Sequence, residues 1–97
     1  MVKRIGTLAV VILLLSFFTS GCYYFSAKKE IGNAEKLLAE LKGAGGEKKV
    51  PYEYCSANGF LEASRVEFSQ NDFGPARALA QRATSAAQAG LVEVKKK

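Results

Sequence analysis

An uncharged N-terminal run is the feature that most limits what this chain can fold into. Lys3 and Arg4 precede it, and no residue from Ile5 to Gly21 carries a charge. A positive head, an apolar middle and a small-residue exit are the layout of a secretory signal, which is removed on export. The uncharged stretch also continues to Ala27, which makes 23 residues from Ile5 and is long enough to cross a bilayer of about 30 Å. A cleaved signal and an uncleaved single membrane span are therefore the two alternatives.

The residues Ser20-Gly21-Cys22 resemble the lipobox of bacterial lipoproteins, with Thr19 where that family usually has leucine. The resemblance implies cleavage between Gly21 and Cys22, a diacylglycerol on the Cys22 thiol, and an acyl chain such as palmitate on its new amino group. Two or three acyl chains anchor a protein stably to a bilayer. Tyr23 stands where aspartate would favour the inner membrane of enteric bacteria, so the resemblance implies the outer membrane, facing the periplasm.

The composition after Gly21 argues against an enzyme and against a nucleic-acid-binding protein. Without Lys3 and Arg4 the chain has 12 basic and 9 acidic residues, a net charge of only +3. A nucleic-acid site would need basic residues clustered along one face. The chain has no histidine, which is the commonest general base and metal ligand. We therefore predict a non-enzymatic protein with no metal and no cofactor other than the lipid on Cys22.

Cys55 is the second of two cysteines. If lipid occupies Cys22, Cys55 has no partner within the chain. We interpret it as a small, half-buried apolar residue on a helix, with an intermolecular disulfide between two copies as the alternative.

Helical spacing of apolar residues begins soon after Cys22. A first helix is predicted from Ser26, as its cap, to about Lys42, with the glycines of 43–46 ending it before a solvated linker at 47–49. Tyr23, Tyr24 and Phe25, ahead of this helix, suit a membrane interface. The apolar stripe of the helix, spaced 4, 3, 4, 3, is Ala27, Ile31, Ala34, Leu38 and Leu41.

A second helix is predicted from Tyr52 to Gln70, with Pro51 at its start. Gly59 inside it is either a weak spot, costing about 1 kcal/mol relative to alanine, or a point where another helix comes close. Glu53, Glu62 and Glu67 are interpreted as its solvated face. The apolar stripe is Tyr54, Ala57, Leu61, Ser64 and Phe68, with Phe60 beside it.

The residues 71–75, Asn-Asp-Phe-Gly-Pro, predict a turn with Asp72 as the next helix N-cap and Phe73 folded back on the core. A third helix follows to Gly90, where glycine is predicted to end it, before a frayed tail. Its small residues should let it pack closely on the second helix. Its stripe is Ala76, Ala80, Ala83 and Ala87.

The predicted fold class is thus all-α: a signal or anchor helix, a short helix and an antiparallel helical hairpin, joined by a short turn. The predicted segments are a signal peptide (1–21), a lipidated N-terminus with the first helix and a Gly/Lys linker (22–49), the hairpin (50–90) and a basic tail (91–97). The sequence leaves open whether the first helix packs on the hairpin or extends toward the membrane.

Asp72-Phe73 followed by Ala76, Ala80 and Ala83 resembles the second helix of a tetratricopeptide motif, of which only one helix pair is present. The lipobox, the Pro51-x-x-Tyr54 start, the Asn-Asp-aromatic turn and the alanine run together resemble a family of small alanine-rich bacterial lipoproteins of unassigned function. That resemblance implies a membrane-lipid anchor and an outer-membrane or peptidoglycan-binding protein partner.

The predicted function is a lipid-anchored helical module that docks a periplasmic or peptidoglycan-associated partner, with Tyr52, Lys95, Lys96 and Lys97 as candidate contacts. Tyrosine is favoured in interfaces, and lysines attract anionic surfaces. The alternative is a structural tether between the outer membrane and the cell wall, because the lysines at 95–97 resemble the terminus of the murein lipoprotein. In that family a terminal lysine amine is joined to peptidoglycan.

Overall fold

The computed structural model describes the backbone from residue 2 onward and the side chains of residues 4–15 and 23–97. The described residues form four helices: α1 (Val2–Gly43), α2 (Gly46–Lys49), α3 (Pro51–Ser69) and α4 (Phe73–Lys96). The described residues contain no strand, which confirms the all-α fold class. The predicted cleavage and lipidation residues, Gly21 and Cys22, lie outside the described side chains.

α1 is longer than predicted, since it runs unbroken through Ser26 instead of starting there. No proline interrupts residues 2–43, and a serine inside a helix costs only tenths of a kcal/mol, roughly, relative to alanine. Residues 4–15 are all exposed, whereas Ala27, Ala34 and Leu41 are buried. The N-terminal part of α1 therefore projects beyond the packed helices, and the whole molecule is elongated, 70 × 20 × 15 Å. Among the described residues, no helix has the length and hydropathy needed to cross a membrane.

α1 and α4 run parallel and in register. Tyr24 contacts Phe73, and Leu41 lies against Gly90, so the two contacts share an offset of 49 residues. The same offset pairs Ala34 with Ala83, which are both in the buried core. The stripe of α1 and the alanine stripe of α4 have identical spacing, so each residue of the α1 stripe faces a small residue of α4, alanine or Gly90, along the whole contact. This is the packing expected of heptad-spaced helices.

α3 runs antiparallel to both neighbours. Phe68 packs on Phe73 near one end, and Glu53 lies beside Gly90 near the other. Between them, the buried Ser64 hydroxyl donates a hydrogen bond to the Ala76 carbonyl at 2.5 Å. These contacts give the seam predicted for the second and third helices, but α4 shares its alanines with α1 as well. Leu61 is 1% exposed and completes the core with the residues of α1 and α4; Ile31, Leu38 and Phe60 pack around it.

Glycine, asparagine and proline residues shape the two connections between the long helices, one from α1 through α2 to α3 and one from α3 to α4. α1 ends at Gly43, and Gly45 has a φ of 85°, a left-handed value that glycine adopts without strain. Pro51 is the first residue of α3, as predicted. At the other end, Asn71 has a φ of 64°, and the N–H groups of Asn71 and Asp72 donate to Phe68 and Glu67. That pair of bonds is a Schellman motif, which closes α3 with Asn71 at the left-handed position.

Several boundaries differ from prediction. Residues 46–49 form the short helix α2 instead of an open linker, and Gly46 is buried because Leu41 covers it. Gly90 does not end the third helix, which continues to Lys96. Gly90 is instead the close-approach glycine, with Leu41 Cδ2 only 2.8 Å from where its Cβ would be. Gly59 has no atom within 4 Å of the corresponding position, so of its two alternatives the close approach of another helix is wrong.

Asp72 also differs from its predicted role. It is the N-cap residue of α4, but its side chain makes no capping hydrogen bond. Its backbone carbonyl instead accepts from Ala76 at 3.0 Å, which starts the helix. Pro75 lies in the opening turn of α4, where its missing N–H has no partner to lose.

Candidate functional site

The residues predicted as partner contacts come together at one end of the molecule, which we call the lysine end. α3 begins there and α4 ends there, so Tyr52 and the lysines at 95–97 lie at the same end of the helix pair. Tyr52 is 79% exposed, which leaves almost the whole ring available for contact. The lysine end is defined by Tyr52 and six exposed lysines: Lys42, Lys48, Lys49, Lys95, Lys96 and Lys97.

Lys48 and Lys49 belong to this surface although they were not predicted as contacts. The Lys97 ammonium donates to the Lys49 carbonyl at 3.1 Å, which joins α2 to the end of α4. Lys96 pairs with Glu93 one helical turn back, at 3.4 Å on the exposed surface. Such a pair is weak, and Glu47 is exposed beside Lys48, so the six lysines of this end outnumber these two carboxylates.

The opposite end is aromatic. We call it the aromatic end and define it as Tyr23, Tyr24, Phe25, Phe68 and Phe73. The Tyr24 ring lies 5.3 Å from Phe68 and 5.2 Å from Phe73, and those two rings are 5.2 Å apart. Phe25 packs edge-on against Tyr24 at 5.5 Å but remains 71% exposed. Each of these separations falls in the range of favourable aromatic pairs.

This aromatic cluster joins the start of the predicted mature chain to the α3–α4 turn. Sequence reasoning placed Phe73 on the core and Tyr23–Phe25 at a membrane interface, but it did not connect the two. The only signal available was the shared 4, 3, 4, 3 spacing, which places Tyr24 opposite Phe73 once the first and third stripes are aligned.

Two carboxyl groups meet beside the aromatic end. The pKa of the Glu67 carboxyl is raised above its usual value of 4.5, first by hydrogen bonding with Asp72, then by desolvation and by the negative charge of Asp72. Glu62 is exposed as predicted, whereas Glu53 and Glu67 are half-buried. The interpretation of all three glutamates as a solvated face is therefore only partly correct.

A shallow groove of about 290 Å³ lies between α1 and α4. The Thr84 hydroxyl on its wall is buried and has no hydrogen-bond partner among the described residues. The groove is open to solvent and mixes charged, amide and apolar side chains, which does not select one ligand chemistry. Its lining residues are Asn33, Lys36, Leu37, Glu40, Thr84 and Gln88.

Cys55 is exposed, which contradicts its interpretation as half-buried. The stripe of α3 passes through Tyr54 and Ala57 and leaves position 55 on the outer face. Tyr54, on the predicted apolar stripe, is half-buried, whereas Tyr52 is exposed on another side of α3. Among the residues with described side chains, no group of three histidine, cysteine, aspartate or glutamate residues could hold a metal ion.

Comparison with known proteins adds nothing to this geometry: no protein-family model, no curated protein and no solved structure matches the chain.

Proposed function

We propose that this chain is a bacterial lipoprotein, anchored in the envelope through lipid on Cys22, whose lysine end docks a periplasmic or peptidoglycan-associated partner without catalysing a reaction. Its two candidate functional surfaces lie at opposite ends of one elongated helical body. The aromatic end continues through α1 into the apolar leader, and the lysine end carries Tyr52 and the lysines at 95–97.

This separation of the two ends is the observation that carries the proposal. A protein attached at Cys22 and projecting from the bilayer presents the end furthest from its anchor. The 20 residues from Tyr24 to Gly43 span about 30 Å of helix. At that end the chain offers a nearly free tyrosine ring among exposed lysines, a combination suited to an acidic partner surface, because aromatic anchors and complementary charge both favour binding.

The anchor is tested by the intact mass of the protein extracted from bacterial membranes, beside Cys22→Ala. We expect residues 22–97 plus lipid, and loss of the lipid mass in the variant. An unprocessed chain without lipid would overturn the lipoprotein and leave the single-span membrane protein as its replacement.

Docking is tested separately, with a photo-crosslinking amino acid placed at Tyr52 or, as the control, at the exposed Gln81 midway along α4. We expect a defined adduct from position 52 that disappears when Lys95, Lys96 and Lys97 are changed to glutamate. Equal adducts from both positions, or an adduct indifferent to the lysines, would contradict docking at the lysine end.

The exposed position of Lys97 at the lysine end favours one alternative, a covalent tether to peptidoglycan. The hydrogen bond from its ammonium to the Lys49 carbonyl would have to break for that reaction. Sacculi boiled in detergent retain the protein only if this bond to the wall is made, and Lys97→Arg should then release it.

A further inference from the structure

We infer that the α3–α4 turn is a membrane-contacting surface, which rests on a phospholipid bilayer and holds the helical body upright on it. The inference rests on the proposed attachment at Cys22 and extends it: the anchored protein would have a fixed orientation, with the turn down and the lysine end at a set height.

The first step is the absence of a flexible linker. α1 is helical without interruption from Val2 to Gly43, so the backbone at position 22 continues directly into the packed part of the helix. A helix transmits its direction along its axis, whereas a flexible linker would let the body tumble. The orientation of the body is therefore set within a few residues of the attachment point.

The second step is the position of the turn. Tyr24 follows Cys22 by two residues and contacts both Phe68, at the end of α3, and Phe73, at the start of α4. Residues 70–74 must therefore lie at the level of Tyr24 along the molecule. Whatever surface holds Cys22 lies within a few ångströms of this turn.

The third step is the chemistry of the exposed groups at this level. Phe25 is 71% exposed and Tyr23 45% exposed, on a helix whose preceding residues 4–15 present only uncharged side chains after Arg4. Aromatic rings in this position suit the boundary between acyl chains and headgroups. Exposed Lys28 and Lys29 follow about one turn further up, where they can reach anionic headgroups.

Among the described residues near this level, the acidic groups are the Glu67 and Asp72 pair beside the turn and Glu30, which follows Lys29 on α1. These carboxyls oppose an anionic surface, and the two lysines offset two of the three. A phospholipid bilayer is the partner that suits this surface, because its uncharged aromatic rings are bordered by lysines and lie immediately beside an apolar leader.

The experiment uses tryptophan as a depth probe, because the chain contains none. Gly74 is exposed in the turn, and a Cβ added there meets no atom within 4 Å, so the position is open to solvent and we expect Gly74→Trp to fold. Val92→Trp, on the exposed face near the other end of the same helix, is the matched control. Each full-length variant is purified from bacterial membranes and reconstituted into phosphatidylethanolamine–phosphatidylglycerol vesicles, with or without lipids brominated near the headgroup end of the acyl chain.

We expect brominated lipid to quench Gly74→Trp at least twofold more than Val92→Trp, with a blue-shifted emission at position 74 only. Flotation of the same samples with the vesicles measures attachment independently. Vesicle-bound protein in which both probes are quenched equally little overturns this inference and leaves the anchor intact. Protein that does not float overturns the attachment at Cys22 and this inference together.

Discussion

Gly90 and Gly59 are two helical glycines with opposite surroundings. A Cβ at Gly90 would lie 2.8 Å from Leu41 Cδ2 and 3.2 Å from Glu53 Cβ, whereas one at Gly59 would meet nothing within 4 Å. Leu41 is fully buried and cannot move aside freely. The same substitution therefore tests packing at one site and helix propensity at the other.

We expect Gly90→Ala to lower the free energy of unfolding by about 1 kcal/mol, because overpacking costs about 1–3 kcal/mol and alanine returns about 1. Gly59→Ala should raise it by about 0.5–1 kcal/mol. Thermal unfolding followed by circular dichroism measures both, at about 4–8 °C per kcal/mol for a domain of this size. A higher melting temperature for Gly90→Ala would show that α1 and α4 are not in close contact there.

Glu67 gives the molecule a defined response to pH. Its pKa is raised in the folded state, so the folded protein holds the proton more tightly than the unfolded chain does. The resulting stabilisation is fully present below the usual pKa of 4.5 and is lost as the pH rises through the folded-state pKa.

We therefore expect Glu67→Gln to gain stability relative to the parent protein as the pH rises from about 4 to 7, with the gain levelling off above the folded-state pKa. Melting temperatures of both proteins across that range measure the difference. Glu62→Gln, an exposed change on the same helix, corrects for the loss of one negative charge. A difference between Glu67→Gln and the parent that stays constant with pH would contradict the interaction with Asp72.

At the scale of the helices, heptad spacing predicted most of the buried positions and the antiparallel seam of α3 and α4, but not the contact of α1 with α4. The stripes of α1 and α4 were both found, since 4, 3, 4, 3 spacing marks one face of a helix. Identical spacing carries no information on partner or direction, so the parallel pairing of α1 with α4 was missed. Gly90 extends the stripe by the expected three residues after Ala87, yet glycine is also the usual helix end. In the structure Gly90 packs against Leu41 and continues the helix instead of ending it.

The candidate site was also predicted only in part: several of its residues were identified from the sequence, but their positions relative to one another were not. Tyr52 was predicted as an exposed contact because α3 can bury only one side, and the lysines at 95–97 were predicted from charge. Their location beside Lys49 depends on where α2 folds, and the contact of Tyr24 with the turn depends on the register of two helices far apart in sequence. Neither relation is encoded locally.

The turn between α3 and α4 depends on one left-handed residue. Asn71 has a φ of 64°, which asparagine tolerates better than most residues and glycine best. We expect Asn71→Ala to destabilise the protein by about 1 kcal/mol, whereas Asn71→Gly should stay within about 0.5 kcal/mol of the parent. Urea unfolding of both variants measures this. Equal losses would mean that the asparagine side chain, and not its backbone conformation, is what the turn requires.

At the scale of the whole molecule, the continuous helix α1 links the membrane level to the lysine end. The turn has few apolar groups of its own exposed, since Phe68 and Phe73 are half-buried against Tyr24. Its approach to the bilayer should therefore come from rigid connection to the anchor more than from independent affinity for lipid. Rigid connection and independent affinity for lipid predict different results when a flexible linker is inserted between the anchor and the packed helices.

We expect a 20-residue Gly/Ser insertion between Tyr23 and Tyr24 to free the body from the bilayer, because such a linker has a mean span of about 25 Å. In vesicles with brominated lipid, quenching of Gly74→Trp should then fall to the level of Val92→Trp, while flotation and helical content stay unchanged. A 20-residue insertion after Lys97 is the matched control and should leave the quenching as it was. Undiminished quenching with the linker after Tyr23 would mean that the aromatic end binds lipid by itself. The rigid continuity of α1 would then not be needed to hold the turn at the bilayer.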